Sequence, residues 1–494
     1  MKPLVPLLLT VFIVSCGPGS RSVEVRQSVH PVLIRNPHNA LLQLILQGTG
    51  SEDSFEFVIE GDRDLDRLEM FYTGDKTEFA ADHPFGEAAP AQRVTIRGKQ
   101  ELKPGPNVFW LTCRVAPNAD LSHRVFAKYL GAPNTTPLAH RIGVALRRHN
   151  DDGVHTYRIP ALATGTKREL YAVYDMRRRK SRDLQEDIDI GLSRSLDGGK
   201  TWEPPRVIMD MGQYGNKPQE ENGVSDPGII VDEKTGEIFV WAVWMWGKPG
   251  KHQWTGDGSE PGFEIGKSAQ MMVVRSRDAG VTWTKPENLT RKLKKAEWWL
   301  LAPSPQQGIN LKDGTLVMPV QGRDEKGVPF ATIMVSGDHG ASWTVGTPAF
   351  SGGNECQAAQ LADGSIMLNM RNDHERFRAV YVTSDLGKTW KEHATNRNTL
   401  IEPNCNASLR RILARNLLLF SNPHSQKART HQTIQVSLDD GRTWPEGNHL
   451  LLDEGRGRGY SSMSQVDDGH IGIVYEGSTA DLVYEKIGLE ELVK

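Results

Sequence analysis

The feature that most limits what this chain can fold into is an eight-residue pattern that keeps returning. Ser195-Leu-Asp-Gly-Gly-Lys-Thr-Trp202 is followed by related stretches at Ser276 to Trp283, Ser336 to Trp343, Thr383 to Trp390 and Ser437 to Trp444. Each copy comes after an apolar run, such as Ile188 to Leu192 or Met271 to Val274, and so reads as a hairpin between two strands. In such a turn Asp197 accepts bonds from nearby N–H groups, Gly199 supplies a positive φ, and Trp202 fills the gap between neighbouring sheets. The turn is structural and by itself names no chemistry.

Copies spaced roughly 45 to 80 residues apart indicate a radial array of small sheets, the blades of a propeller. Upstream of each turn lies a second pair of strands: Ile159 to Ala163 with Glu169 to Tyr174, Gly228 to Val231 with Ile238 to Trp244, and Gln307 to Leu311 with Thr315 to Val320. Gln357 to Leu361 with Ser365 to Met370 and Ala407 to Leu413 with Leu417 to Ser421 continue the series. A sixth pair, Ser462 to Val466 with Ile471 to Tyr475, lacks the octapeptide but has its own third strand, Leu482 to Ile487. The expected fold is therefore all-β, a six-bladed β-propeller over 138–494. Ahead of it, residues 22–137 show short alternating stretches such as Ser54 to Ile59 and Asn107 to Arg114 separated by Gly, Asp and Pro, the pattern of an N-terminal β-sandwich domain. Gly131 to Pro137 is the expected linker. Such a domain either binds glycan or braces its neighbour.

The first residues, 1–16, read as an export signal: Lys2, the apolar stretch Leu4 to Val14, then Ser15-Cys16. Small residues before a cysteine resemble the lipobox of bacterial lipoproteins, which makes Cys16 the expected lipidation site, with ordinary cleavage near Ser15 as the alternative. The expected location is the cell envelope, periplasmic or at the surface, with the membrane reached only through the lipid anchor. Cys113, Cys356 and Cys405 have no metal-ligand spacing, so neither a disulfide framework nor a metal is expected, and they read as buried small apolar residues. Net charge is -2, with 59 basic and 61 acidic residues, which argues against nucleic acid as a partner.

In a propeller the innermost strands ring a central channel, so residues at their entrances converge although distant in sequence. Those entrances hold Arg158, Asp226, Gln307, Glu355, Asn406 and Tyr460, and loops after the second strands add Arg177, Asp183, Arg323, Arg371 and Arg429. The result is an arginine-rich pocket with a few carboxylates and one tyrosine. Trp241, Trp244 and Trp246 alternate along a strand and read as packing, whereas Trp298 and Trp299 in a polar stretch are candidates for the pocket rim.

Tyr157-Arg158-Ile159-Pro160 resembles the arginine motif of sialidase catalytic domains, and the octapeptides resemble their Asp boxes; the resemblance runs from about residue 140 to the C-terminus. It implies an exo-sialidase (neuraminidase) that needs no cofactor and acts on sialylated glycans, glycoproteins or glycolipids. It also implies Asp183 as acid and base, Glu355 with Tyr460 as the nucleophile pair, Arg158, Arg371 and Arg429 as a clamp on the sugar carboxylate, and Arg177 and Asp226 on substrate hydroxyls. The chemistry is consistent. Three guanidiniums grip a carboxylate with charge-assisted bonds. A carboxylate nucleophile about 4 Å from that group meets a repulsion of about 4 kcal/mol at an effective dielectric of about 20, which a neutral phenol avoids. Protonated Asp183 needs burial or a nearby carboxylate, for which Glu186 and Asp187 are the candidates. The alternatives are a sialic-acid-binding lectin or adhesin, which needs the arginines alone, and a transfer-type trans-sialidase.

Overall fold

The structure is a computed structural model that describes residues 12–14, 22–214, 217–245 and 258–493; Cys16, Trp246 and, within the signal stretch, residues 1–11 and 15 lie outside the described residues. Strands dominate, and among the described residues helix is confined to Thr290–Leu293 and short 3-10 turns. Two compact units form, one up to residue 145 together with 452–455, the other comprising 146–451 and the residues from 456 onward.

In the first unit, Val23–Arg26, Asn39–Gln47, Pro106–Val115, Leu65–Gly74 and Pro84–Ala88 pair in that order in one sheet, and Arg124–Tyr129, Gly50–Glu60 and Arg93–Leu102 pair in another. Phe55 and Phe109, with centroids 4.9 Å apart, join their inner faces, so this is the sandwich that the alternating stretches indicate. The expected linker is instead packed: Ala132 and Thr135 are buried, and the following strand, His140–Arg147, runs parallel to Val32–Ile34.

The second unit is a β-propeller of antiparallel sheets. Their inner strands are Thr156–Thr164 (sheet I), Val224–Val231 (II), Leu300–Pro303 with Ile309–Asn310 (III), Gly353–Gln360 (IV), Ser408–Ile412 (V) and Ser461–Asp467 (VI). Second strands such as Leu170–Arg177 and Ile238–Trp244 are buried along their whole length, because each sheet is covered by its neighbours on both faces. Apolar runs rather than alternation are the result. Sheet III departs from expectation. Gln307 to Leu311 does not form a continuous inner strand: Leu300–Pro303 and Ile309–Asn310 pair as two short pieces with Leu316–Arg323, while between them Gln306–Gln307 pairs in parallel with Gly228–Ile229 of sheet II.

The octapeptide turns are built as their residues suggest. Asp197 accepts from the Thr201 N–H at 2.9 Å and the Thr201 hydroxyl at 2.6 Å, and Ser195 accepts from the Gly199 N–H at 2.8 Å. The fifth residue of every copy does a second job. Gly199, with φ 91, rests on the Tyr484 ring of sheet VI; Gly280 rests on Tyr171 of sheet I and Gly340 on Phe239 of sheet II. Gly387 meets Ile333 of sheet III and Gly441 meets Met367 of sheet IV. Each turn therefore seats its own sheet on the preceding one, and the first turn closes the ring on the last sheet, where Tyr484 also donates to the Gly198 carbonyl at 2.8 Å.

A Cβ on Gly199 would lie 2.0 Å from the Tyr484 ring, whereas Gly364, with φ 89, has open space around it. Gly199→Ala is expected to cost about 2 kcal/mol or more through strain plus overlap, and Gly364→Ala about 1 kcal/mol through strain alone. Urea unfolding of the two variants measures the difference.

Candidate active site

The inner strands of sheets I, II, IV, V and VI share a backbone device where they meet the channel mouth. At or just before that end stands a residue with left-handed φ: Ile159 (53), Asp226 (60), Gly352 (97), Asn404 (58) and Gly459 (92). In sheets I, II and IV the ladder slips there, between Arg158 and Ala161, Ser225 and Gly228, and Gly353 and Cys356. Such bulges re-aim side chains, and a β-branched residue such as Ile159 adopts this φ only under constraint. As a result Arg158, Asp226 and Glu355 line one cavity of about 370 Å³, together with Asp183, Arg323, Arg371, Arg429 and Tyr460.

Tyr460 is the focus. Its hydroxyl donates to Glu355 Oε1, Arg371 Nη1 lies 3.3 Å from the same hydroxyl, and the guanidiniums of Arg158 and Arg429 stand 5.4 and 5.7 Å from the ring centroid. Burial, and then the charge of Glu355, push the phenol well above its ordinary pKa despite Arg371 and Arg429. Arg371 also donates to Glu355 at 2.7 Å and to the Asn404 side chain at 2.6 Å. Arg429 donates to the carbonyls of Arg458 and Asn404 at 2.8 and 3.1 Å.

Asp183 lies 2.5 Å from Arg177 Nη1 and 3.7 Å from Arg158 Nη1. The expected carboxylate neighbours are not what holds it: Glu186 is turned to Lys180 at 2.6 Å. Arg177 needs correction as a ligand for substrate hydroxyls. It is fully buried outside the cavity lining, with donors committed to Asp175 at 2.9 and 3.2 Å and to the Ser181 carbonyl at 2.9 Å, so it props the Asp183 loop from below. Asp226 does line the cavity. Burial, then the charges of Asp175, Glu355 and Asp183, raise its pKa well above the ordinary carboxyl value, while Asp175 accepts from Arg177, the Ser225 hydroxyl and the Asp226 N–H.

Other expectations are not met. Neither Gln307 nor Asn406 lines the cavity; the first is diverted to sheet II by the broken strand and the second is fully buried. Trp298 is core, packed on Phe330 at 4.7 Å, and Trp299 lies against Gly327; neither reaches the cavity. Trp241 and Trp244 are buried packing residues, and Cys113, Cys356 and Cys405 are buried thiols, as read from the sequence.

Sequence reasoning missed Glu476. Its two carboxylate oxygens accept from Arg158 Nε at 2.8 Å and Nη2 at 3.2 Å, from the Ile159 N–H at 2.9 Å and from the Tyr460 N–H at 3.0 Å. Nothing marks it in the sequence, where it is one glutamate after the apolar run Ile471 to Tyr475. Burial works against its charge, but Arg158 and the two N–H groups outweigh it and hold the carboxyl below its ordinary value of 4.5. The stabilisation is therefore full above about pH 4.5 and is lost as pH falls through the lowered pKa. Glu476→Gln is expected to cost about 3 kcal/mol at neutral pH and to flatten the acid limb of the stability profile, as read by thermal unfolding at stepped pH.

Comparison with known proteins places this geometry. The family described as a BNR repeat-like domain matches residues 168–473, and the N-terminal domain of BNR-repeat neuraminidase matches residues 20–131. The chain is 36% identical to a sialidase of Bacteroides fragilis, with 99% of each covered, and 31% identical to a sialidase of Micromonospora viridifaciens over 66% of this chain and 51% of that one. Among solved structures, the Hadza microbial sialidase Hz136 aligns over 95% of this chain and 100% of its own at 35% identity with a TM-score of 0.89. A Trypanosoma rangeli sialidase shares the fold at 22% identity over 71% of this chain and 58% of its own, with a TM-score of 0.59. The chain belongs to the sialidase family, as a BNR-repeat neuraminidase with its associated N-terminal domain.

Proposed function

We propose that this protein is an exo-sialidase that hydrolyses terminal sialic acids from glycoconjugates with retention, through a covalent intermediate on Tyr460, and that its six strand sets are six blades around that site. The observation that carries this reading is the convergence of Arg158, Arg371 and Arg429 on a phenol already bonded to Glu355. Three cations facing a common point suit the sugar carboxylate, which puts the anomeric carbon beside the phenol oxygen. The raised pKa keeps Tyr460 neutral at rest. As its oxygen bonds to the anomeric carbon the proton passes to Glu355, and nearby Arg371 stabilises phenolate character in the transition state.

Asp183 protonates the departing glycosidic oxygen and then takes a proton from the water that attacks the anomeric carbon, while the tyrosyl–sugar C–O bond breaks and Glu355 returns its proton to the phenol oxygen. Engagement of Arg158 by the substrate carboxylate loosens the hold of that arginine on Asp183. Asp226, whose carboxyl burial and the neighbouring carboxylates push towards the neutral form, lines the cavity where it can bond a substrate hydroxyl. A lectin has use for the three arginines but none for the bonded Glu355–Tyr460 pair, so the enzyme is the better reading.

Tyr460→Phe is expected to lose about a thousandfold or more in kcat on a fluorogenic sialoside while still binding free sialic acid, and Arg371→Ala should weaken both. Brief treatment with a 3-fluorosialosyl fluoride should label Tyr460, as read by peptide mass spectrometry; a label elsewhere overturns the nucleophile assignment.

Export and lipid anchoring at Cys16 rest on the sequence pattern of residues 1–16 alone. Expressed in a Gram-negative host, Cys16→Ser should move the protein from the membrane fraction to the soluble fraction, and mature wild-type protein should begin at an acylated Cys16.

A further inference from the structure

The propeller has a second mouth at the far ends of the same inner strands. Arg158, Glu355 and Tyr460 stand near the start of their strands, and Thr164, Gln360 and Gln465 near the end, which separates the two mouths by roughly 15–20 Å at about 3.3 Å per residue. Two cavities of about 390 and 270 Å³ open there and share Glu233, Arg410 and Gln465, so they are lobes of one basin. The larger lobe matches the active-site cavity of about 370 Å³ in size.

The basin is held in shape by polar ties between strand ends. Asn310 donates to the Val231 carbonyl at 2.8 Å and accepts from the Glu233 N–H at 3.1 Å, and Gln360 accepts from the Lys312 N–H at 3.0 Å. Its charges are not balanced. Arg168 is paired with Asp468 and Arg411 with Asp440. Arg410, on the inner strand of sheet V, has an Nε shut off from solvent with no acceptor, and no carboxylate among the described residues pairs with it. Burial holds its pKa below the ordinary arginine value, with Glu233 acting weakly the other way. Lys234 reaches only the Asp313 carbonyl, at 3.3 Å, and Lys312 likewise has no carboxylate partner among the described residues. Asp467 is taken by His470 and Lys486 and Asp468 by Arg168, which leaves Arg410, Lys234 and Lys312 with Glu233 around a cavity large enough for a small molecule. Water can occupy the free Arg410 N–H but leaves the charge unpaired.

We propose that this basin is a second ligand site that takes an oxyanion, a carboxylate or phosphate, on a molecule no larger than a monosaccharide, with Arg410 as its principal contact and Lys234 and Lys312 at its rim. It is separate from the catalytic cavity and does not rest on the exo-sialidase reading. The test is calorimetric titration of the full chain with inorganic phosphate and, separately, with N-acetylneuraminic acid, using Arg371→Ala to weaken the catalytic cavity. Saturable binding of either probe at one equivalent is expected, weakened about tenfold or more by Arg410→Gln. Binding of phosphate alone identifies a phosphoryl ligand, and binding of the sugar acid alone an acidic sugar. Should Arg410→Gln fail to fold, the exposed pair Lys234→Gln with Lys312→Gln reads the same site, with an expected loss of about threefold or more. The proposal is overturned if neither probe saturates in Arg371→Ala, or if the affinity is unchanged in the charge variants.

Discussion

Glu476 lies between the two ends of the propeller's sequence, taking Arg158 and the Ile159 N–H from the first sheet and the Tyr460 N–H from the approach to the last. A carboxylate this deeply buried is tolerated only when its acceptor sites are filled, and here two side-chain and two backbone donors fill them. Closing the ring and setting the first clamp arginine are consequently one event. A ring left open between sheets VI and I leaves Glu476 unpaired, Arg158 without its anchor and Tyr460 without a fixed backbone.

The same economy governs the whole cationic cluster. Three guanidiniums around one phenol repel one another, yet the partners that hold them, Glu476, Asn404 and the Arg458 carbonyl, all lie outside the cavity lining. Each arginine is gripped from outside and presents its remaining donors inward. The repulsion that remains is relieved when an anionic sugar enters, so the donors are arranged before the ligand arrives. Glu355 is the exception that carries the chemistry, since it lines the cavity and is bonded to both Arg371 and Tyr460.

What could be read from the sequence was local or repeated. The five octapeptides marked the sheets, and the short arginine motif, through the resemblance it carries, placed most of the cavity. What could not be read depends on where side chains point. Arg177 looked like a ligand because it follows a strand entering the site, but the strand's last side chain turns down onto Asp175 instead of into the cavity. Trp298 looked exposed in a polar stretch because Phe330, its packing partner, arrives from a later strand. Glu476 and Asn404 act only through contacts with distant segments. Gln307 left the site because its short strand pairs in parallel with Gly228–Ile229 of the neighbouring sheet, a long-range pairing that no local pattern announces.

The absence of an octapeptide from sheet VI follows from how the others work. A turn of this kind seats its own sheet on the one before, so a missing sixth copy loosens only the seat of VI on V, while the first copy still rests on VI through Tyr484. Sheet VI is held to V by other means. The Met463 N–H donates to the Ser408 hydroxyl at 3.0 Å, and the Ser461 hydroxyl lies 3.2 Å from both the carbonyl and the hydroxyl of Ser421. These bonds join the inner strand of VI to the two innermost strands of V rather than to its outer rim. The sheet that bears Tyr460 is thus fixed from its catalytic edge, where sub-ångström placement of the phenol against Glu355 and the arginines matters most.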